Sequence, residues 1–152
     1  MNFTDYDWLR KRGPQMISIL DDCIEAERCA SLRPAQTRIV SRRALENIIT
    51  ERCRKYRIRF TTLFETIPLV VAQLALPSEM EKMFFDYAEC IRDTGNGTVH
   101  VKRGGTDKVH AATASRIQDA ISILEKLYWI LSKIYGEPRN KHFDPVRVPF
   151  DE

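Results

Sequence analysis

Residues 106–138, TDKVHAATASRIQDAISILEKLYWILSKIYGEP, decide the architecture. Val109, Ala112, Ile117, Ala120, Ile121, Leu124, Tyr128 and Leu131 recur there at intervals of three and four, which lines them along one stripe of an α-helix. The spacing predicts a helix from Thr106 or Asp107 to Tyr135, stopped by Gly136 with Pro138 just beyond. So long an apolar stripe must be covered, and the sequence before it supplies the covering helices.

Pro77, Ser78 and Glu81 mark the start of the preceding helix, with Ser78 as N-cap and Glu81 as its capping-box partner. Met80, Met83, Phe84, Tyr87 and Ile91 form its expected core face, and Gly95-Asn96-Gly97 should stop it at Thr94 or Gly95, because these residues accept positive φ. Between that triplet and Gly104-Gly105, the run Thr98-Val99-His100-Val101-Lys102 reads equally as a strand-like excursion or an ordered loop. Further back, Thr61 or Thr62 caps a helix carrying Leu63, Ile67, Val70, Val71 and Leu74, with Pro68 as a kink or an early boundary. Ala35 to about Tyr56 forms another, buried through Ile39, Val40, Ala44, Ile48 and Ile49. Pro14 opens a helix with Met16, Ile17, Leu20, Cys23 and Ile24 inward, and Asp5 to Arg12 is a short helical lead-in to it. The sum is an all-α fold, an up-and-down four-helix bundle with a short N-terminal helix. It occupies residues 1–136 as one domain and leaves 137–152 as an extended tail, with Phe143 and Phe150 free to dock.

Composition agrees with a single core: the chain has 152 residues, of which 43% are hydrophobic. The net charge is only +3, so any phosphate binding must be local rather than a property of the whole surface. The basic residues do cluster, at Arg10, Lys11 and Arg12, at Arg38, Arg42 and Arg43, and most densely over 52–59. On a helix such runs are usually a solvated face. The four cysteines, Cys23, Cys29, Cys53 and Cys90, lack the paired short spacings of a zinc site and read as reduced, partly buried thiols. No apolar run approaches the roughly 18 residues of a membrane span. A cytoplasmic protein without membrane attachment, metal or cofactor is the expectation.

One stretch carries chemistry. Ile91-Arg92-Asp93-Thr94-Gly95-Asn96-Gly97-Thr98-Val99-His100 gathers a guanidinium, a carboxylate, an amide and an imidazole around a helix end. Arginine offers a planar fork that matches two phosphate oxygens, and histidine exchanges a proton near neutral pH. That set suits metal-free RNA cleavage: His100 would deprotonate a ribose 2′-hydroxyl or protonate the leaving oxygen, and Arg92 would stabilise charge on the phosphate. The same residues also read as a plain helix ending, with Arg92 capping carbonyls as the helix dipole favours and His100 bonded within its loop. Spacing alone does not separate the two. His110 and His142 carry no motif, and no Walker loop, nucleophile elbow or dinucleotide fingerprint is present.

The pattern Arg42-Arg43-Ala44-Leu45-Glu46, then Ile91-Arg92, then Gly95-Asn96 and His100, resembles a small helical domain of unknown function found with restriction enzymes. That domain is similar to the HEPN superfamily (higher eukaryotes and prokaryotes nucleotide-binding). The resemblance covers roughly Ala35 to Tyr135. It implies a helical bundle, often a homodimer, in which an arginine and a histidine of each subunit meet in a shared cleft. Carried over, the pair is Arg92 and His100, with Asp93 at the polar position after the arginine and Asn96 in the Gly-Asn element. Seven residues separate Arg92 from His100, more than typical HEPN nucleases place there and in keeping with the restriction-associated relatives.

Two functions follow from different classes. The first is a metal-independent endoribonuclease of a prokaryotic defence or toxin-antitoxin system, a homodimer whose phosphate contacts come from Arg52, Arg54, Lys55 and Arg57, or from Lys102 and Arg103. The second is a non-catalytic module that binds a protein partner in a defence complex, or nucleic acid without cleaving it.

Overall fold

A computed structural model describes residues 1–97, 113–139 and 141–150, without the side chains of 96, 97 and 113–115. Among the described residues the chain is all-helical, with no strand. The α-helices are α1 (Pro14–Cys29), α2 (Pro34–Tyr56), α3 (Leu63–Gln73), α4 (Ser78–Gly97) and α5 (Thr113–Tyr135), flanked by 3-10 segments at Phe3–Arg12 and Pro145–Arg147.

Local chemistry explains most ends. Pro14 and Pro34 each open a helix at its first position, where a missing N–H costs nothing. Thr62 caps α3 by accepting from the Glu65 N–H at 3.1 Å. Gly136, at φ 114°, ends α5 in the conformation that glycine favours, as its sequence predicts. Pro68 lies inside α3 and does not end it. At the start of α4 the Glu81 N–H donates to the Pro77 carbonyl at 2.9 Å, so Ser78 is already in the first turn rather than at the N-cap. The other end of α4 corrects the sequence reading: Gly95, Asn96 and Gly97 remain helical. The predicted start of the last helix at Thr106 or Asp107 and the 98–102 excursion lie outside the described residues.

α2 is the central rod and packs against all four other α-helices. Asp22 of α1 meets Arg43 and Asn47, Ala26 meets Thr37, and Gln15 meets Arg54, so α1 runs antiparallel to α2. Arg38 reaches Asp119 and Glu51 reaches Tyr135, so α5 runs parallel to α2. Tyr87 and Phe84 of α4 pack on Trp129 of α5, with ring centres 5.1 and 6.2 Å apart. The core is one cluster containing Phe3, Tyr6, Ile19, Leu20, Leu45, Ile48, Ile67, Phe84, Ile91, Leu124 and Leu131. The stripes sit slightly rotated from expectation. Ile17, Ile39, Met80 and Met83 are exposed, while Ile19, Leu45 and Ala88 are buried in their place.

The two ends of the chain are fastened together by buried polar groups. Glu27, fully buried, accepts from the Asn2 and Phe3 backbone N–H groups at 2.8 and 3.0 Å and from Asn2 Nδ2 at 2.9 Å. Asn2 in turn holds Asp144 through both its backbone groups, at 2.8 and 2.9 Å. Asp5 accepts from Tyr128 Oη at 2.7 Å and from the two Nη atoms of Arg147 at 2.8 and 2.6 Å. Burial pushes the Asp5 carboxyl up, but Arg147, Tyr128 and Lys141 together hold it below the ordinary value of 3.8. Phe143 packs its ring on Tyr128 with centres 5.7 Å apart, whereas Phe150 stays 71% exposed. The segment expected as a tail thus lies along the N-terminal segment through residues 141–148.

Candidate functional site

Arg92 projects from the C-terminal half of α4 and is already engaged. Its Nε and Nη2 donate to Glu89 Oε2 at 3.1 and 2.8 Å, and Nη2 pairs with Asp93 Oδ1 at 2.7 Å. Glu89 stands one turn back on the same helix, the spacing at which side chains meet. The guanidinium also lies over the Phe64 ring of α3, 4.9 Å from its centre. The Arg92 and Glu89 side chains are only 18% and 17% exposed, while Asp93 is 63% exposed. The fork therefore has one shielded partner and one open to replacement.

Three residues further on, Gly95 explains why α4 does not stop. A Cβ on Gly95 would lie 2.6 Å from Cβ and 2.7 Å from Cδ of Arg42, so α4 and α2 approach closely only because this position has no side chain. Arg42 and Gly95, far apart in sequence and both part of the family-like pattern, thus touch. Beside them is a cleft of about 230 Å³ lined by Arg38, Cys90, Thr94, Asp119, Ser122 and Ile123, where Arg38 pairs with Asp119 at 3.1 Å.

This corner differs from the rest of the interior in one respect. Among the described residues, the buried side-chain polar atoms without a hydrogen-bond partner are Arg38 Nε, Ser41 Oγ, Arg42 Nε and Glu89 Oε1. All belong to the facing stretches of α2 and α4. Buried polar groups are nearly always satisfied, so a concentration of exceptions sets this corner apart from the rest of the described interior.

His100, Lys102 and Arg103 lie outside the described residues, as does His110. Asn96 is within α4, its side chain outside the description. The remaining basic candidates separate. Arg52 is buried, donating to both oxygens of Glu51 at 2.7 and 2.8 Å and lying over the Tyr56 and Tyr135 rings. Its reading as a phosphate contact gives way to a core role, because a planar cation stacked between rings and paired to a carboxylate is not offered to solvent. Burial raises the Glu51 carboxyl, but hydrogen bonds from Arg52 and Tyr135 bring it below the usual range. Arg54, Lys55 and Arg57 are exposed, at the C-terminal end of α2.

The cysteines are free thiols, three buried and Cys90 half-buried, and burial pushes Cys23, Cys29 and Cys53 upward, away from the reactive thiolate. Among the described residues, no group of three or more His, Cys, Asp or Glu gathers as a metal site. No described helix is long and apolar enough to cross a membrane. Of the groups at the corner, Glu89 was available to sequence reasoning as the carboxylate one turn before Arg92. Arg38 stood out only as one of a basic cluster, and Phe64 and Asp119 carried no local signal.

No protein-family model matches this chain, and no curated protein or solved structure matches it significantly.

Proposed function

We propose that this chain is an HEPN-like, RNA-acting protein of the prokaryotic defence or toxin type, with Arg92 and His100 as the pair of a metal-independent endoribonuclease. The observation that carries this reading is the α2–α4 corner, where Arg92 sits beside the Arg42–Gly95 contact and the unpartnered buried groups collect. In this reading a substrate phosphate displaces the exposed Asp93 from the Arg92 fork, while Glu89 and Phe64 keep the guanidinium aimed. His100 moves the proton of the 2′-hydroxyl or of the leaving oxygen. The helix directions fit an up-and-down four-helix arrangement of α1, α2, α4 and α5 with α3 laid outside it, and the reading places a cytoplasmic homodimer's interface along α4.

One observation favours the second reading. Arg92 is neutralised by two carboxylates, which suits a non-catalytic module that binds a protein partner or nucleic acid.

End-labelled transfer RNA incubated with the protein in EDTA separates them. The nuclease leaves 2′,3′-cyclic phosphate ends and loses at least about a hundredfold in rate in His100→Ala and in Arg92→Ala. Intact RNA with a folded parent protein overturns catalysis and leaves the binding module.

A further inference from the structure

The fold brings together two basic runs that are distant in sequence. Arg54, near the end of α2, donates to Gln15 Oε1 at 3.2 Å, and Gln15 directly follows the Gly13-Pro14 step out of the N-terminal 3-10 segment. Lys11 and Arg12 therefore lie at the same pole of the molecule as Arg54, Lys55, Arg57 and Arg59. All six are exposed, and among the described residues none has a carboxylate at ion-pair distance. The neighbouring acids are taken: Asp7 and Asp21 by Arg10, Glu51 by Arg52, and Glu137 by Lys133. Because the whole chain carries only +3, these six cations leave the rest of the molecule net negative. The modest overall charge thus hides a strongly polarised distribution.

Two further features point to the ligand. Trp8 is exposed at this pole, with Arg12 over its ring at 5.3 Å and its far edge facing Gly136, where a Cβ would lie 3.7 Å from Cη2. Arg57 closes α2 in the left-handed region at φ 59°, where glycine is favoured, so the chain keeps an exposed arginine at a conformational cost. Cations around a surface aromatic ring are what single-stranded nucleic acid requires: charge for the phosphates and a flat face for a base.

We propose that this pole is a docking site for the backbone of single-stranded RNA, distinct from the Arg92 corner. The proposal rests on the RNA-acting reading above. Arg54 lies twelve positions beyond Arg42 on α2, about 18 Å at the helical rise, so the pole holds the strand and does not touch the reacting phosphate. It therefore predicts an effect on binding and KM, not on kcat.

The test is fluorescence anisotropy of a labelled oligouridylate with the full chain over a salt series. The parent is compared with Lys11→Gln/Arg12→Gln, with Arg57→Gln/Arg59→Gln, with Trp8→Phe, and with Lys82→Gln on α4 as a control. Each double variant should weaken binding at least about tenfold and lower the slope of log K against log salt by about one, while Lys82→Gln changes neither. Trp8→Phe should weaken binding without changing the slope. Equal binding by parent and double variants overturns the proposal. So does tighter binding to vesicles of phosphatidylcholine and phosphatidylserine than to the oligonucleotide, which would make the pole a membrane-surface contact. The two ideas fail separately. RNA bound through the pole without cleavage sinks the nuclease alone, and cleavage with KM unchanged in the double variants sinks the pole alone.

Discussion

The fastening of the chain ends and the α2–α4 corner are both buried and polar, yet they are built in opposite ways. Around Asp5, Asn2 and Glu27, carboxylate oxygens and donors meet at 2.6 to 3.0 Å, drawing on Tyr128, Asp144 and Arg147. At the corner, Arg38, Ser41, Arg42 and Glu89 each keep a buried atom without a partner. A satisfied buried network holds a fold together, whereas an unsatisfied one costs stability and persists where function uses it. The first region is an anchor, the second is the surface to which the proposed function is assigned, and substitutions can test that division.

The largest effect belongs to the anchor. Asp5→Ala should lower unfolding stability by about 3 kcal/mol in urea titration, because Tyr128 and Arg147 lose their shared acceptor. The same group sets a pH dependence. Since the Asp5 carboxyl is held below 3.8 in the fold, its contribution is present above that value and fades as pH falls beneath it. The parent should therefore lose stability more steeply than Asp5→Asn on acidification below about pH 4. An Asp5→Ala protein as stable as the parent would dissolve the contrast between the regions.

At the corner the largest change is steric. Gly95→Ala places a methyl 2.6 Å from Arg42 Cβ, where the obstruction is not a flexible tip, so α2 and α4 must separate. Overpacking of this kind costs about 1–3 kcal/mol, more than the helix-propensity gain of about 1 kcal/mol from replacing glycine. A thermal melt that rises would show that the helices are not in contact there.

The smallest effect sharpens the comparison most. Thr37 and Ser41 lie one turn apart on α2, both fully buried. Thr37 Oγ1 donates to the Ala26 carbonyl at 2.7 Å, and Ser41 Oγ has no partner. Thr37→Val should cost about 1 kcal/mol, whereas Ser41→Ala should be neutral to within about 0.5 kcal/mol or slightly stabilising. Equal losses in paired denaturation curves would mean that Ser41 is satisfied after all.

Much of the helical scheme was legible because its causes are local. Pro14 at a first helical position, Thr62 as a cap, Gly136 as a stop and the apolar repeats of α5 act within a few residues of themselves. The chemistry of the corner was half legible. Arg92 stood out by type and position, but its occupation by Glu89 and its stacking on Phe64 were not inferred, and Phe64 comes from another helix. Gly95-Asn96-Gly97 misled for a physical reason: the glycine needed for close approach to Arg42 is the same residue that, read locally, signals a helix end.

What the sequence determined by itself is therefore most of the helices and, to within a small rotation, the side each one buries, since period and capping are properties of neighbouring residues. Only the tertiary structure decided which basic residues face water, why Arg52 belongs to the core, and that Lys11 and Arg12 join Arg54 at one pole. It alone closed Arg147 onto Asp5 across 142 positions. Such pairings depend on where helices end in space, and no local pattern of side chains encodes that.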